Sequence, residues 1–124
     1  MERGRTWIVL GALLAAVAVG AGALGAHALE ARLDAARLAN WETAVRYQLA
    51  HALALVLFGL WRNQGGRGRA VGWLFVLGTL GFSGSIYCLA FEFGTSWVWP
   101  LTPLGGTLLL VGWIWWALGA WRTT

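Results

Sequence analysis

Apolar residues along this chain gather into four long runs, roughly 7–29, 45–61, 70–91 and 104–121, separated by short polar or glycine-rich stretches. Each run approaches the ~20 helical residues, at ~1.5 Å apiece, that cross a hydrocarbon core of about 30 Å. In lipid a backbone must satisfy its own hydrogen bonds, so runs of this kind cross as helices. The pattern predicts an all-α fold, a four-helix transmembrane bundle forming a single domain over residues 1–124. A retained first helix is favoured over a cleaved signal peptide. The first apolar run exceeds the ~7–15 residues usual in such peptides, although Ala26-His27-Ala28 has the small residues a cleavage site uses.

The stretch between the first two runs, Glu30 to Asn40, reads EARLDAARLAN. It is strongly helix-forming and too polar to span, with Leu29, Leu33 and Ala36 as an apolar stripe. It predicts a short interfacial helix along the membrane surface. Asn40 would then cap the second spanning helix, with Glu42 in its first turn.

Composition strengthens the membrane reading: 59% hydrophobic, 11% charged and a mean hydropathy of +0.65. Soluble domains run nearer ~45–50% apolar and ~25% charged. The net charge of +4 comes from nine basic residues, all arginine. They sit at the ends of the apolar runs, which points to bilayer topology and away from nucleic acid. Arg3, Arg5, Arg62, Arg67, Arg69 and Arg122 fall on one side, against Arg32, Arg37 and Arg46 on the other. That asymmetry predicts both termini in the cytoplasm. Trp7, Trp61, Trp73 and Trp121 mark one boundary and Trp41, Trp97 and Trp99 the other, where indoles favour the headgroup level. Trp113, Trp115 and Trp116 lie deeper, against lipid or a neighbouring helix. The lone Cys88 has no partner for an internal disulfide.

Small residues let helix backbones approach in lipid. Helix one offers Ala18, Gly22 and Ala26 at spacing four, beside Ala12, Ala16 and Gly20. Helix three offers Gly78, Gly81 and Ser85, and helix four Gly105, Gly112 and Gly119 at spacing seven. Gly25, Gly84 and Gly106 complete the predicted packing set. Such seams hold the bundle together and suit a homo-oligomer or a larger membrane complex.

Polar groups are costly in hydrocarbon and face the bundle interior. His27 closes helix one. Thr43, Tyr47, Gln48 and His51 fall within about 140° of arc on helix two. Thr79, Ser83 and Tyr87 recur at spacing four on helix three; Ser85 adjoins them, and Thr102 opens helix four. These positions predict one cluster in the outer half of the bilayer, comprising His27, Thr43, Tyr47, Gln48, His51, Ser83, Ser85, Tyr87 and Thr102. Two histidines on adjacent helices could share a haem or metal or relay a proton. The favoured alternative has each ring hydrogen-bonding between helices, with no cofactor and no metal site. No enzyme is expected. Ser83-Gly84-Ser85 lacks the strand-to-helix setting of a nucleophile elbow, and Gly65-Gly66-Arg67-Gly68-Arg69 lacks the Lys and Ser/Thr of a phosphate loop. No carboxylate lies mid-span, which argues against proton-coupled export of the small multidrug type.

Gly25-Ala26-His27, Trp41, Thr43-Ala44-Val45-Arg46-Tyr47-Gln48, His51-Ala52-Leu53-Ala54-Leu55, Ser83-Gly84-Ser85-Ile86-Tyr87 and Thr102-Pro103-Leu104-Gly105-Gly106 together resemble the signature of the domain-of-unknown-function 423 family. The resemblance covers essentially the whole chain. It implies a small multi-pass protein of bacterial inner membranes, with relatives in animals, and brings no established activity. The function expected is that of a structural or accessory membrane protein. The alternative is a transporter, channel or small-ligand-binding protein using the outer polar cluster.

Overall fold

The computed structural model describes residues 2–123, which form four helices: α1 (Glu2–His27), α2 (Ala35–Asn63), α3 (Ala70–Ala90) and α4 (Leu101–Thr123). All four are long and apolar enough to cross a membrane, and the described residues contain no strand. The helices extend a turn or more beyond several of the apolar runs. Hydropathy does not register the polar residues that cap and flank a span.

The separate interfacial helix is absent. Residues 35–40 are instead the first turns of a continuous 29-residue α2. Asp34, not Asn40, is the cap: its side chain accepts from the Arg37 amide at 2.8 Å. Asn40 and Glu42 are exposed positions inside the helix. Nothing in residues 35–45 breaks a helix, so an acceptor at Asp34 suffices to start one there. At ~1.5 Å per residue α2 is roughly 43 Å long, more than the hydrocarbon thickness, so part of it projects beyond the apolar slab.

Neighbouring helices run antiparallel, which brings the start of α1, the end of α4 and residues 64–69 to one end of the bundle. α2 is the central element, with 44% of its apolar window buried against 17% for α1 and for α4. α1 meets α2 along Gly4, Gly11, Ala18 and Gly25, a seven-residue spacing. A Cβ on Gly4 would lie 1.7 Å from the Gly59 oxygen, one on Gly11 2.7 Å from the Ala52 oxygen, and one on Gly25 2.7 Å from the Trp41 ring. Ala18 is fully buried. Of the spacing-four seam expected on helix one, Ala18 lies on the contact face, while Gly22 and Ala26 lie off it. Gly20 meets nothing, Ala26 is exposed, and Gly22 makes only an ordinary contact with Val45. Gly25 is part of the seam, as expected.

α3 and α4 cross where Gly105 enters between Gly78 and Gly81. A Cβ on Gly105 would fall 2.2 Å from the Phe82 nitrogen and 2.8 Å from the Gly78 oxygen. Gly112 lies against Phe75, and Gly106 touches the Phe82 ring only loosely. Gly84 faces open space and is not a packing position.

Two apolar clusters lie toward opposite ends. Trp7, Ala54, Leu55, Phe58, Val71, Phe75 and Leu109 form the larger one, on the side of the termini. Leu29, Trp41 and Ala90 form the smaller, near the α1–α2 and α3–α4 connections. At that second end Arg37 pairs with Asp34 and with Glu92, which joins the start of α2 to the segment after α3. Glu92 has φ +57°, a left-handed value uncommon outside glycine, and sits where α3 stops.

Candidate functional site

Between the two apolar clusters lies a belt of polar side chains, each engaged by another helix. Gln48 is its centre. It is 3% exposed; its amide nitrogen donates to the Leu14 carbonyl of α1 at 2.8 Å, and its oxygen accepts from the Tyr87 hydroxyl of α3 at 2.7 Å. One amide thus ties three helices. Leu14 is the thirteenth residue of the 26-residue α1, so this knot lies near that helix's midpoint. The belt reaches deeper than the outer-half placement expected for it.

Ser83 donates to the Ala44 carbonyl at 2.7 Å, a second link from α3 to α2. Ser85 donates to its own helix at Phe82 and also meets the Thr102 hydroxyl of α4. Trp41 donates its indole N–H to the Ala21 carbonyl of α1 at 2.8 Å. Hydroxyls and amides that bond carbonyls across helices add roughly 0.6–2 kcal/mol each in a bilayer.

His51 completes the belt from the other side. Trp113 of α4 donates its Nε1–H to His51 Nε2 at 2.9 Å, while His51 Nδ1 lies 2.7 Å from the Tyr47 carbonyl. An indole nitrogen can only donate and a carbonyl can only accept. The ring is therefore the neutral tautomer with its proton on Nδ1. It stacks on Tyr47 and meets Phe75 and Trp113 edge-on.

Gln48 and Tyr87 thus form one linked pair, Ser83 with the Ala44 carbonyl a second, Ser85 and Thr102 a third, and His51 with Trp113 and the Tyr47 carbonyl a fourth. His27 belongs to none of them: it is exposed at the end of α1. Thr43 bonds only to the Ala39 carbonyl of its own helix. The Tyr47 side chain is 47% exposed and contributes its ring, against His51 and Phe82. Thr79 is buried with no partner for its hydroxyl, and nothing in the structure explains it.

A haem or metal shared by His27 and His51 does not fit. Gly25, two residues from His27, packs on Trp41, which lies ten residues and about 15 Å of helix from His51. Both His51 nitrogens are already engaged.

A pocket of about 360 Å³ opens at the connection end, lined by Arg37, Asn40, Ile86, Leu89, Ala90 and Thr102. Of the predicted polar residues, Thr102 alone reaches it.

The model of the "Protein of unknown function (DUF423)" family matches residues 21–106, which includes Gln48, His51, Ser83 and Tyr87. The chain belongs to the DUF423 family. Curated relatives match it almost end to end. It is 41% identical over 119 residues to the UPF0382 membrane protein SSP2132 of Staphylococcus saprophyticus, covering 95% of this chain and 98% of that one. It is 41% identical over 120 residues to a UPF0382 membrane protein of Haemophilus influenzae, covering 94% of each. It is 39% identical over 113 residues to the UPF0382 membrane protein YwdK of Bacillus subtilis, covering 89% of this chain and 91% of YwdK. No solved structure matches. The chain is accordingly a multi-pass membrane protein from a family without an assigned activity.

In this DUF423 chain the sequence reading missed three contributors to the belt: Trp113, Trp41 and the carbonyl of Leu14. The sequence pattern assigns Trp41 to the boundary and Trp113 to a deeper position against lipid or a neighbouring helix. Only the three-dimensional crossing shows that each indole N–H reaches into the bundle.

Proposed function

We propose that this protein is a non-catalytic accessory membrane protein, oriented with both termini in the cytoplasm, whose buried polar groups fasten its helices together. The observation that carries this reading is Gln48, with amide donor and acceptor both consumed by neighbouring helices. A residue that handled a passing solute would need free hydrogen-bonding capacity in its resting state. Ser83 and His51 are committed in the same way, to the Ala44 carbonyl and to Trp113. The outward faces of α1 and α4 supply broad apolar surface, including Val17, Val19, Leu110 and Trp115, for lipid or for a larger membrane partner.

The experiment is solute flux in proteoliposomes paired with unfolding in detergent. The accessory reading expects no flux of ions or small polar solutes above empty vesicles, and a clear loss of stability in Gln48→Leu. Flux that Gln48→Leu abolishes, with the fold retained, overturns it.

A second reading, small-ligand binding, draws on the 360 Å³ pocket beside Thr102 and Arg37. It expects Thr102→Val to remove binding of a ligand added from the connection side while the melting temperature stays within a few degrees.

A further inference from the structure

Six arginines lie at the end of the bundle that carries the termini, and among the described residues both ion pairs belong to Arg37, at the opposite end. Arg62 is 8% exposed, gives one bond to the Gly66 carbonyl at 3.1 Å, has no partner for its buried Nε, and feels the like charges of Arg3 and Arg69. Six arginines against Glu2, the one acidic residue the sequence places at this end, leave an excess of positive charge that attracts an anion.

The shape of this end says what kind. A pocket of about 590 Å³ opens there between the end of α2 and the end of α4, lined by Trp61, Gly65, Arg67, Gly119 and Arg122. Its floor is held in place. The 64–69 turn folds onto the Trp61 indole so closely that a Cβ on Gly66 would lie 2.3 Å from the ring, and the Gly66 amide donates to the Trp61 carbonyl at 3.1 Å. Gly65 and Gly68 take φ +105° and +87°, values that let the turn fold back.

Apolar surface stands next to the pocket. Trp61 meets Trp116 with ring centroids 6.2 Å apart, and Trp116 lines an apolar groove of about 290 Å³ with Trp113, Ala117 and Ala120 along α4. A cationic pocket at this end of the bundle, with apolar surface of α4 beside it across the Trp61–Trp116 contact, matches a molecule with an anionic phosphate at one end and hydrocarbon at the other.

We propose that this end of the protein binds an anionic glycerophospholipid. Arg67 and Arg122 hold the phosphodiester, Trp61 forms the wall at glycerol level, and an acyl chain lies along Trp113 and Trp116. The site is separate from the Gln48 belt and does not depend on the accessory reading.

The test uses the full-length protein in detergent with defined additions of phosphatidylglycerol or phosphatidylcholine. Retained lipid is counted by native mass spectrometry and affinity followed by thermal shift. An arginine near an anionic surface is worth about fivefold in binding, so removing two should cost about thirtyfold. Wild type should retain phosphatidylglycerol over phosphatidylcholine. Arg67→Gln/Arg122→Gln should lose that preference by about thirtyfold, and Arg32→Gln, at the opposite end of the bundle, should keep it. Raising salt should weaken the wild-type preference, as it does for accessible charges. This arm reads the site even if the double variant does not fold. Equal retention of both lipids, a preference intact in the folded double variant, or indifference to salt would each overturn the proposal. Inorganic phosphate that stabilises the protein as much as the lipid does would assign the site to free phosphate and overturn it as well.

Discussion

Trp113 reaches from α4 to donate its indole N–H to the Nε2 atom of His51 on α2, at 2.9 Å. It does so although 43% of its surface is exposed. One end of this side chain faces outward while its N–H secures a buried imidazole. The bond ties α4 directly to α2, whereas the Thr102 hydroxyl engages α3.

That relationship predicts an energetic coupling. Trp113→Phe keeps an aromatic ring and removes the donor, and should cost about 1 kcal/mol, the usual net value of such a bond. His51→Phe should cost a similar amount. The double variant should cost less than the sum by roughly 0.5–1 kcal/mol, because each single change already breaks the shared bond. Unfolding in mixed micelles under increasing denaturing detergent measures all three. Strict additivity would show that the contact carries no energy.

Gln48→Leu should be the most damaging polar substitution in the belt, at about 1–3 kcal/mol, because it strands the Tyr87 hydroxyl as well as removing the bond to α1. Tyr87→Phe removes one donor and should cost only about 0.6–1 kcal/mol. The same unfolding assay ranks them; a reversed order would mean that Gln48 is not the knot.

The glycines separate into two classes. Gly105→Ala should destabilise strongly, by about 2 kcal/mol or more, since its new methyl would lie 2.2 Å from backbone on α3 and neither helix can yield cheaply. Gly84→Ala and Gly20→Ala, which meet nothing within 4 Å, should be neutral or slightly stabilising through helix propensity. Melting temperatures of the three single variants decide it.

The orientation prediction rests on six arginines against three. A reporter active only outside the cytoplasm, fused after the last residue, should stay silent, while one placed in the 91–100 segment should be active. The opposite pattern would invert the topology.

Much of this architecture was legible because hydrophobic length and the 3.6-residue period are coarse signals that lipid enforces. The four spans, the inward face of Gln48 and His51, and the Gly105–Gly112 seam all follow from them. What failed was local competition between near-equal choices. Asp34 and Asn40 are both good caps, and only the unbroken helix between them tells which is used. Gly22 and Gly25 are equally small, and the crossing angle of α1 on α2 decides that Gly25 and not Gly22 meets backbone or ring. His27 was grouped with His51 by chemistry alone; the outward turn at the end of α1 parts them. The partners of the polar side chains were the least legible, because most are carbonyls, which every residue carries.

Asn63, the last residue of α2, accepts from the Gly4 amide at 2.9 Å across 59 positions of sequence. That amide is among the first-turn donors a helix cannot satisfy for itself. A chain made from its N-terminus therefore lays down the opening turn of α1 long before the group that completes it exists. At ~5–20 residues per second the wait is about 3–12 s. Throughout that interval water or lipid headgroups must answer the amide. The cap of the first spanning helix is thus supplied only when the whole of the second has been made.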